Sequence, residues 1–147
     1  MKLLQIILIA SIFAFSCASE DDMAPAGMDN MVMDMLPANT DQNGMGTFTS
    51  YAHNLAGKAI LLTGDAGKRV VRLEDFTMTS GPDVYVFVSK SNNYSQANVI
   101  EVAKLTSGYT DSDINFNFDS SAYTSDYKFV LVYCIQYNTL FGYAELK

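Results

Sequence analysis

The run at 129–135, Phe-Val-Leu-Val-Tyr-Cys-Ile, constrains this chain more than any other feature. Seven hydrophobic residues in succession, bounded by polar sequence, need cover on both faces, which is the situation of a central strand in a core. The neighbours such a strand requires are present. Further short runs rich in Val, Ile, Phe and Tyr lie at 47–51, 58–62, 69–76, 84–88, 99–104, 114–118 and 140–146. Turn residues separate them: Gly64-Asp65-Ala66-Gly67, Ser80-Gly81-Pro82-Asp83, Ser107-Gly108 and the polar stretch 119–126. No window holds a helical period, and no repeat recurs at fixed spacing. About eight strands within about 100 residues predict an all-β fold, a single antiparallel β-sandwich or small barrel. At 114–118, Ile114, Phe116 and Phe118 alternate with Asn115 and Asn117, so that strand is expected to bury one face and wet the other.

Composition limits what the fold can do. A chain of 147 residues that is 49% hydrophobic and 17% charged supports one globular domain. Sixteen acidic against nine basic residues give a net charge of −7, which repels a phosphate backbone, so no nucleic-acid partner is expected. Two cysteines cannot build a disulfide framework, and one histidine excludes Cys2His2 zinc and blue-copper centres. No Cys-x-x-Cys-His is present for covalent haem attachment. A Ser-His-Asp triad would have to use His53, and no Gly-x-Ser-x-Gly turn offers a nucleophile. The carboxylates of Glu74-Asp75 border a core strand, while those of Asp111 and Asp113 lie in a turn, where capping is the expected role rather than Ca²⁺ binding. The chain is not expected to be an enzyme.

The first residues are for export. Met1-Lys2 and the apolar stretch 3–15 form a secretory signal, too short for a membrane span of about 20 residues. Ala14-Phe15-Ser16-Cys17 resembles the lipobox of bacterial lipoproteins, with Phe15 bulkier than the usual residue, and the acidic stretch Ser19-Glu20-Asp21-Asp22 resembles the surface-export tag of Bacteroidota lipoproteins. The resemblance implies cleavage after 1–16, lipidation of Cys17, and a membrane partner reached through that anchor at the outer membrane or cell surface. Removal of 1–16 takes away Lys2 and no acid, leaving −8. Residues 17–45 lack aromatic residues and are expected to be a flexible tether. Six methionines, at 23, 28, 31, 33, 35 and 45, raise Cu(I) capture, but soft-metal sites usually recruit Cys or His as well and residues 18–45 have neither, so a plain linker is expected. The domain proper is expected over 46–147.

A series of landmarks runs through that domain. They are Gly46 and Phe48, His53 and Gly57, Leu73 with Asp75-Phe76, Gly81-Pro82-Asp83, Gly108, Tyr127 with Val130, Cys134, and Phe141-Gly142-Tyr143-Ala144. In that order they resemble the DM-thirteen domain, a small extracytoplasmic all-β module. The resemblance implies electron transfer at the cell surface, with the cysteine either a naked thiol or a ligand to a prosthetic group such as haem. One departure stands beside the cysteine, where the family usually has Trp and this chain has Tyr133.

With Cys17 given to lipid, Cys134 has no intrachain partner. Its sequence neighbours carry no cation to activate it, which is also the pattern of a cysteine packed as a small hydrophobe. His53, in the loop 51–57, is a candidate co-ligand with Cys134 for a metal or haem. Two functions follow: a lipid-anchored redox domain acting through Cys134 with a redox partner, or a surface binding module in which Cys134 is core and tyrosines such as Tyr94, Tyr109 and Tyr123 contact a protein or glycan. Asn93-Tyr94-Ser95 fits a glycosylation sequon, which a bacterial lipoprotein would leave bare.

Overall fold

The β-rich runs all become strands. The computed structural model describes residues 31–33, 36, 41–64 and 67–147. The signal segment, Cys17 and most of the expected tether lie outside the described residues. Chain order gives β1 (Met31–Met33), β2 (Asp41–Ser50), β3 (Leu55–Thr63), β4 (Arg69–Met78), β5 (Val84–Ser89), β6 (Val99–Leu105), β7 (Tyr109–Phe118), β8 (Phe129–Cys134) and β9 (Thr139–Glu145), with one 3-10 turn at Gln96–Asn98. No helix among the described residues is long and apolar enough to cross a membrane.

All pairings are antiparallel, and the strands join in the order β1-β7-β4-β3-β2-β9-β8-β5-β6. One sheet therefore wraps into a nearly closed, barrel-like sandwich. The turning point is β2, whose first half pairs with β3 up to Thr47↔Lys58 and whose second half pairs with β9 from Phe48↔Ala144. At the switch the backbones nearly touch. A Cβ on Gly46 would stand 2.2 Å from the Glu145 carbonyl oxygen, so only glycine fits there.

Regular structure begins earlier than Gly46, since Asp41–Met45 are the first half of β2 and Met31–Met33 lie along β7. Polar residues can form this part of β2 because Gln42 and Asn43 are exposed and ladder bonds need no apolar side chain. Such a strand leaves no alternation in the sequence.

Core residues come from the inward face of every long strand, among them Phe48, Leu61, Leu73, Phe76, Val86, Val102, Ile114, Phe116 and Val132. Strand β8 lies between β9 and β5 and is covered on both sides. Val130, Val132 and Cys134 point into the core, while Leu131 and Tyr133 are buried on the outer face with Phe87. That outer cover comes partly from the loop 90–98, whose Tyr94 ring stacks on Tyr133 at 4.1 Å and 9°. The alternation at 114–118 holds for Ile114, Phe116 and the exposed Asn117 but not for Asn115, which is only 2% exposed. Arg72, buried beside it on β4, donates to its side-chain oxygen at 3.3 Å.

Candidate functional site

Alternating strand direction sends the connecting loops to two ends. At the distal end lie 51–54, 79–83, 106–108 and 135–138; at the proximal end lie 64, 67–68, 90–98 and 119–128, with the start of β2 and the end of β9. Cys134 closes β8 at the distal end, and His53 sits in a distal loop. The fold thus brings both to the same end from positions far apart in the chain.

Cys134 stands opposite Val84 on β5 and Thr139 on β9, has no exposed surface, and is the free cysteine of the described residues. His53 is exposed. Its ring packs on Phe141, with centroids 4.1 Å apart and planes 34° from parallel. Phe141 is the extra residue of a β-bulge, since Val132 pairs with Gly142 and Tyr133 with Leu140. Its carbonyl accepts the Tyr51 N–H at 2.7 Å, tying the bulge to the loop that carries His53. Ser50 completes that loop, donating its hydroxyl to the His53 carbonyl and accepting the Leu55 N–H at 3.3 Å.

Two glycines allow this packing. A Cβ on Gly81 would come within 2.5 Å of Val84 Cγ2 and 3.2 Å of Phe141 Cζ. On Gly142 it would be 2.3 Å from the Thr49 carbonyl oxygen and 2.6 Å from Leu55 Cδ2. Beside them, the Asp83 carbonyl accepts the Ile135 N–H at 2.9 Å, and the Asp83 carboxylate meets Lys104 Nζ at 2.6 Å. Hydrogen bonds to Asp83 and then Tyr85 hold the Lys104 ammonium above its ordinary pKa. Burial, with smaller effects of Tyr94 and Cys134, raises the Tyr133 phenol.

A family model described as electron transfer DM13 matches residues 47–146. The chain belongs to the electron transfer DM13 family. No curated protein and no solved structure matches it. Of the residues singled out in the sequence, His53, Gly57, Gly81-Pro82-Asp83, Gly108, Cys134 and Phe141-Gly142 lie in the distal loops or the strand ends that meet there, whereas Gly46, Leu73, Tyr127 and Val130 lie elsewhere.

A prosthetic group on Cys134 does not fit this arrangement. A ligating sulfur needs open space along its bond to the metal, and Cys134 has no exposed surface within an apolar core. Nor does any cluster of three or more His, Cys, Asp or Glu able to hold a metal occur among the described residues. Two surface clefts, of about 600 and about 360 Å³, are lined by other residues than Cys134 and His53.

Several features escape the sequence reading. Arg72, in the apolar stretch Val70–Leu73 of β4, binds Glu74 and Asp113 at 2.7 Å each, so both carboxylates serve an ion-pair cluster on the barrel wall. Alternation alone flags it, because Arg72 stands between the core residues Val71 and Leu73. The tyrosines beside turns are packed instead of free: Tyr94 lies on Tyr133, Tyr109 has its ring 5.6 Å from Phe76, and Tyr123 sits under Arg69 at 4.6 Å. The exposed tyrosines are Tyr51 at 77% and Tyr137 at 65%.

Proposed function

We propose that this DM13 domain carries electrons at the extracytoplasmic surface, held to the membrane by lipid on Cys17, with Cys134 as the redox group in thiol form. The observation that carries the reading is the free thiol of Cys134 within the matched domain, at the end of the central strand and sealed from solvent. Sealing suits one-electron exchange with a protein partner. It keeps the sulfur from peroxides that would drive it to sulfenic and higher acids, while an electron need only cross packed protein. In the oxidising half-step one electron passes from sulfur to an acceptor protein, and the S–H proton leaves with it past the neighbouring turn 135–138. In the reducing half-step a donor protein returns one electron and solvent returns the proton. His53 serves as a positioning residue, steadying Phe141 above the strand end, and not as a ligand.

Voltammetry of the full chain adsorbed on an electrode is the test. A one-electron wave in the wild type that vanishes in a folded Cys134→Ala variant supports the reading. A wave that persists in Cys134→Ala, or no wave in either protein, overturns it and leaves Cys134 as core packing in a binding module. Anchoring is read separately with a clickable fatty acid, incorporated by the wild type and lost in Cys17→Ala.

A further inference from the structure

The two ends of the barrel differ in charge. The distal loops read Tyr51-Ala52-His53-Asn54, Thr79-Ser80-Gly81-Pro82-Asp83, Thr106-Ser107-Gly108 and Ile135-Gln136-Tyr137-Asn138. In a chain of net charge −7, their one formal charge is Asp83, and Lys104 neutralises it at 2.6 Å. The proximal end carries Asp41, Lys68, Lys90, Asp119, Asp126, Lys128, Glu145 and Lys147. The distal end also holds the exposed rings of Tyr51 and Tyr137, at 77% and 65%, along with the exposed His53. Neither of the two surface clefts opens there.

Loops of Tyr, Ser, Asn and Gly at one end of a β-sandwich are the makeup of a protein-recognition surface. Tyrosine brings broad contact area with little side-chain entropy to lose, and Ser, Asn and Gly adapt their hydrogen bonds. Interface centres are depleted in charge and enriched in aromatic residues, as this end is. An uncharged end with exposed tyrosine rings, away from both clefts, matches a folded protein better than a small molecule. Chain direction adds a second argument. Strand β1 meets β7 at Met31↔Phe116, near the proximal end, and β2 begins at Asp41 at that same end, so the distal loops lie away from where the chain comes onto the domain.

We propose that the distal loops 51–54, 79–83, 106–108 and 135–138 form a docking face for a folded protein partner whose matching patch is itself uncharged. Tyr51 and Tyr137 are its anchors. Asn54 and Gln136 supply hydrogen bonds at its rim. Because no charge pair crosses the contact, association depends little on ionic strength, unlike an electrostatically steered encounter. The face does not require a redox role for Cys134.

The test places a benzophenone amino acid at Tyr51, at Tyr137, or at Ser121 of the proximal end, in the full chain expressed in its own cells. Illumination is expected to give one shared protein adduct from the first two positions and none from Ser121. The adduct protein, purified, is then titrated against the full chain. Gln136→Glu combined with Asn54→Asp, with a circular dichroism spectrum unchanged, is expected to weaken binding at least about tenfold, while Ser121→Asp leaves it unchanged. The proposal is overturned by no adduct at either tyrosine, by the same adduct from Ser121, by an adduct made of a second copy of this chain, or by a protease-resistant glycan adduct. It is equally overturned if binding ignores the two new charges.

Discussion

The two ends of this barrel are closed by forces in different proportion. At the distal end the chain meets itself through sterics, with Gly81 and Gly142 letting Val84, Phe141, Leu55 and the Thr49 carbonyl approach to distances that no side chain would allow. At the proximal end Gly46 approaches the Glu145 carbonyl just as closely, and charged and polar side chains add further ties. Lys90 pairs with Asp126 at 2.8 Å and lies over the Tyr127 ring at 4.9 Å, and Arg69 bridges Asn43 and Tyr123. Close backbone packing is indifferent to salt and pH and intolerant of added atoms. Ion pairs at a surface tolerate substitution and respond to both. The comparison teaches that close backbone packing serves both ends, and that the end which adds few ion pairs to it is the one whose loops are spared from charge.

The largest expected effect follows from the steric side. Gly142→Ala drives a Cβ against the Thr49 carbonyl and is expected to cost about 3 kcal/mol or more in urea unfolding, by forcing β2 from β9. Unchanged stability would mean the β2–β9 contact is loose. Next, Cys134→Ser puts a hydroxyl among apolar side chains and is expected to cost about 2 kcal/mol, with Cys134→Ala near or below that value. Equal stability of Ser and wild type would show a polar partner for this position. Tyr94→Ala, which uncovers the outer face of β8, is expected to cost about 1.5 kcal/mol and to speed hydrogen exchange at Tyr133. A silent Tyr94→Ala would remove the loop 90–98 from the stabilising cover.

The smallest effect belongs to the charged end and has a sign fixed by pH. The hydrogen bonds from Lys90 and then Thr124 push the Asp126 carboxyl from 3.8 down to about 2. A depressed folded pKa stabilises above the unfolded value, so this contribution is complete above about pH 4 and fades as pH falls toward 2. Asp126→Asn is therefore expected to lower thermal stability slightly at pH 7 and to flatten its dependence between pH 4 and 2. The same melts on Gly142→Ala are expected to keep the wild-type acid slope. Interchanged slopes would dissolve the distinction between the ends.

How much of this was legible in the sequence depends on whether a residue's neighbours are in chain or in space. The long strands were readable because each carries its own apolar run between turn residues, and the double burial of 129–135 followed from the run itself. The first half of β2 was not, because Asp41 and Gln42 pair through backbone with their side chains exposed, and Asn43 is the extra residue of a bulge there. A three-residue strand such as β1 carries too little pattern to stand out. At the site, Cys134 and His53 were named as residues, and their shared end comes from the antiparallel order of strands. The bulge at Phe141, whose ring takes the face of His53, leaves no mark that would distinguish it from an ordinary strand residue. Tyrosines near turns look free in the sequence because it gives a ring's position along the chain and not its direction. Tyr94 points back over β8, whereas Tyr51 and Tyr137 point out.

The pairing of β2 with β9 joins the start of the domain to its finish, and Met45 and Lys147 exchange backbone hydrogen bonds at 3.2 and 3.1 Å. During synthesis the sheet cannot close until the last strand has left the ribosome. Contacts of such sequence separation also form slowly once the chain is free. Hairpins such as β3–β4 and β5–β6 can pair as soon as both their strands are out, so the seam between β2 and β9 is the step that waits for β9 and turns an open sheet into a barrel.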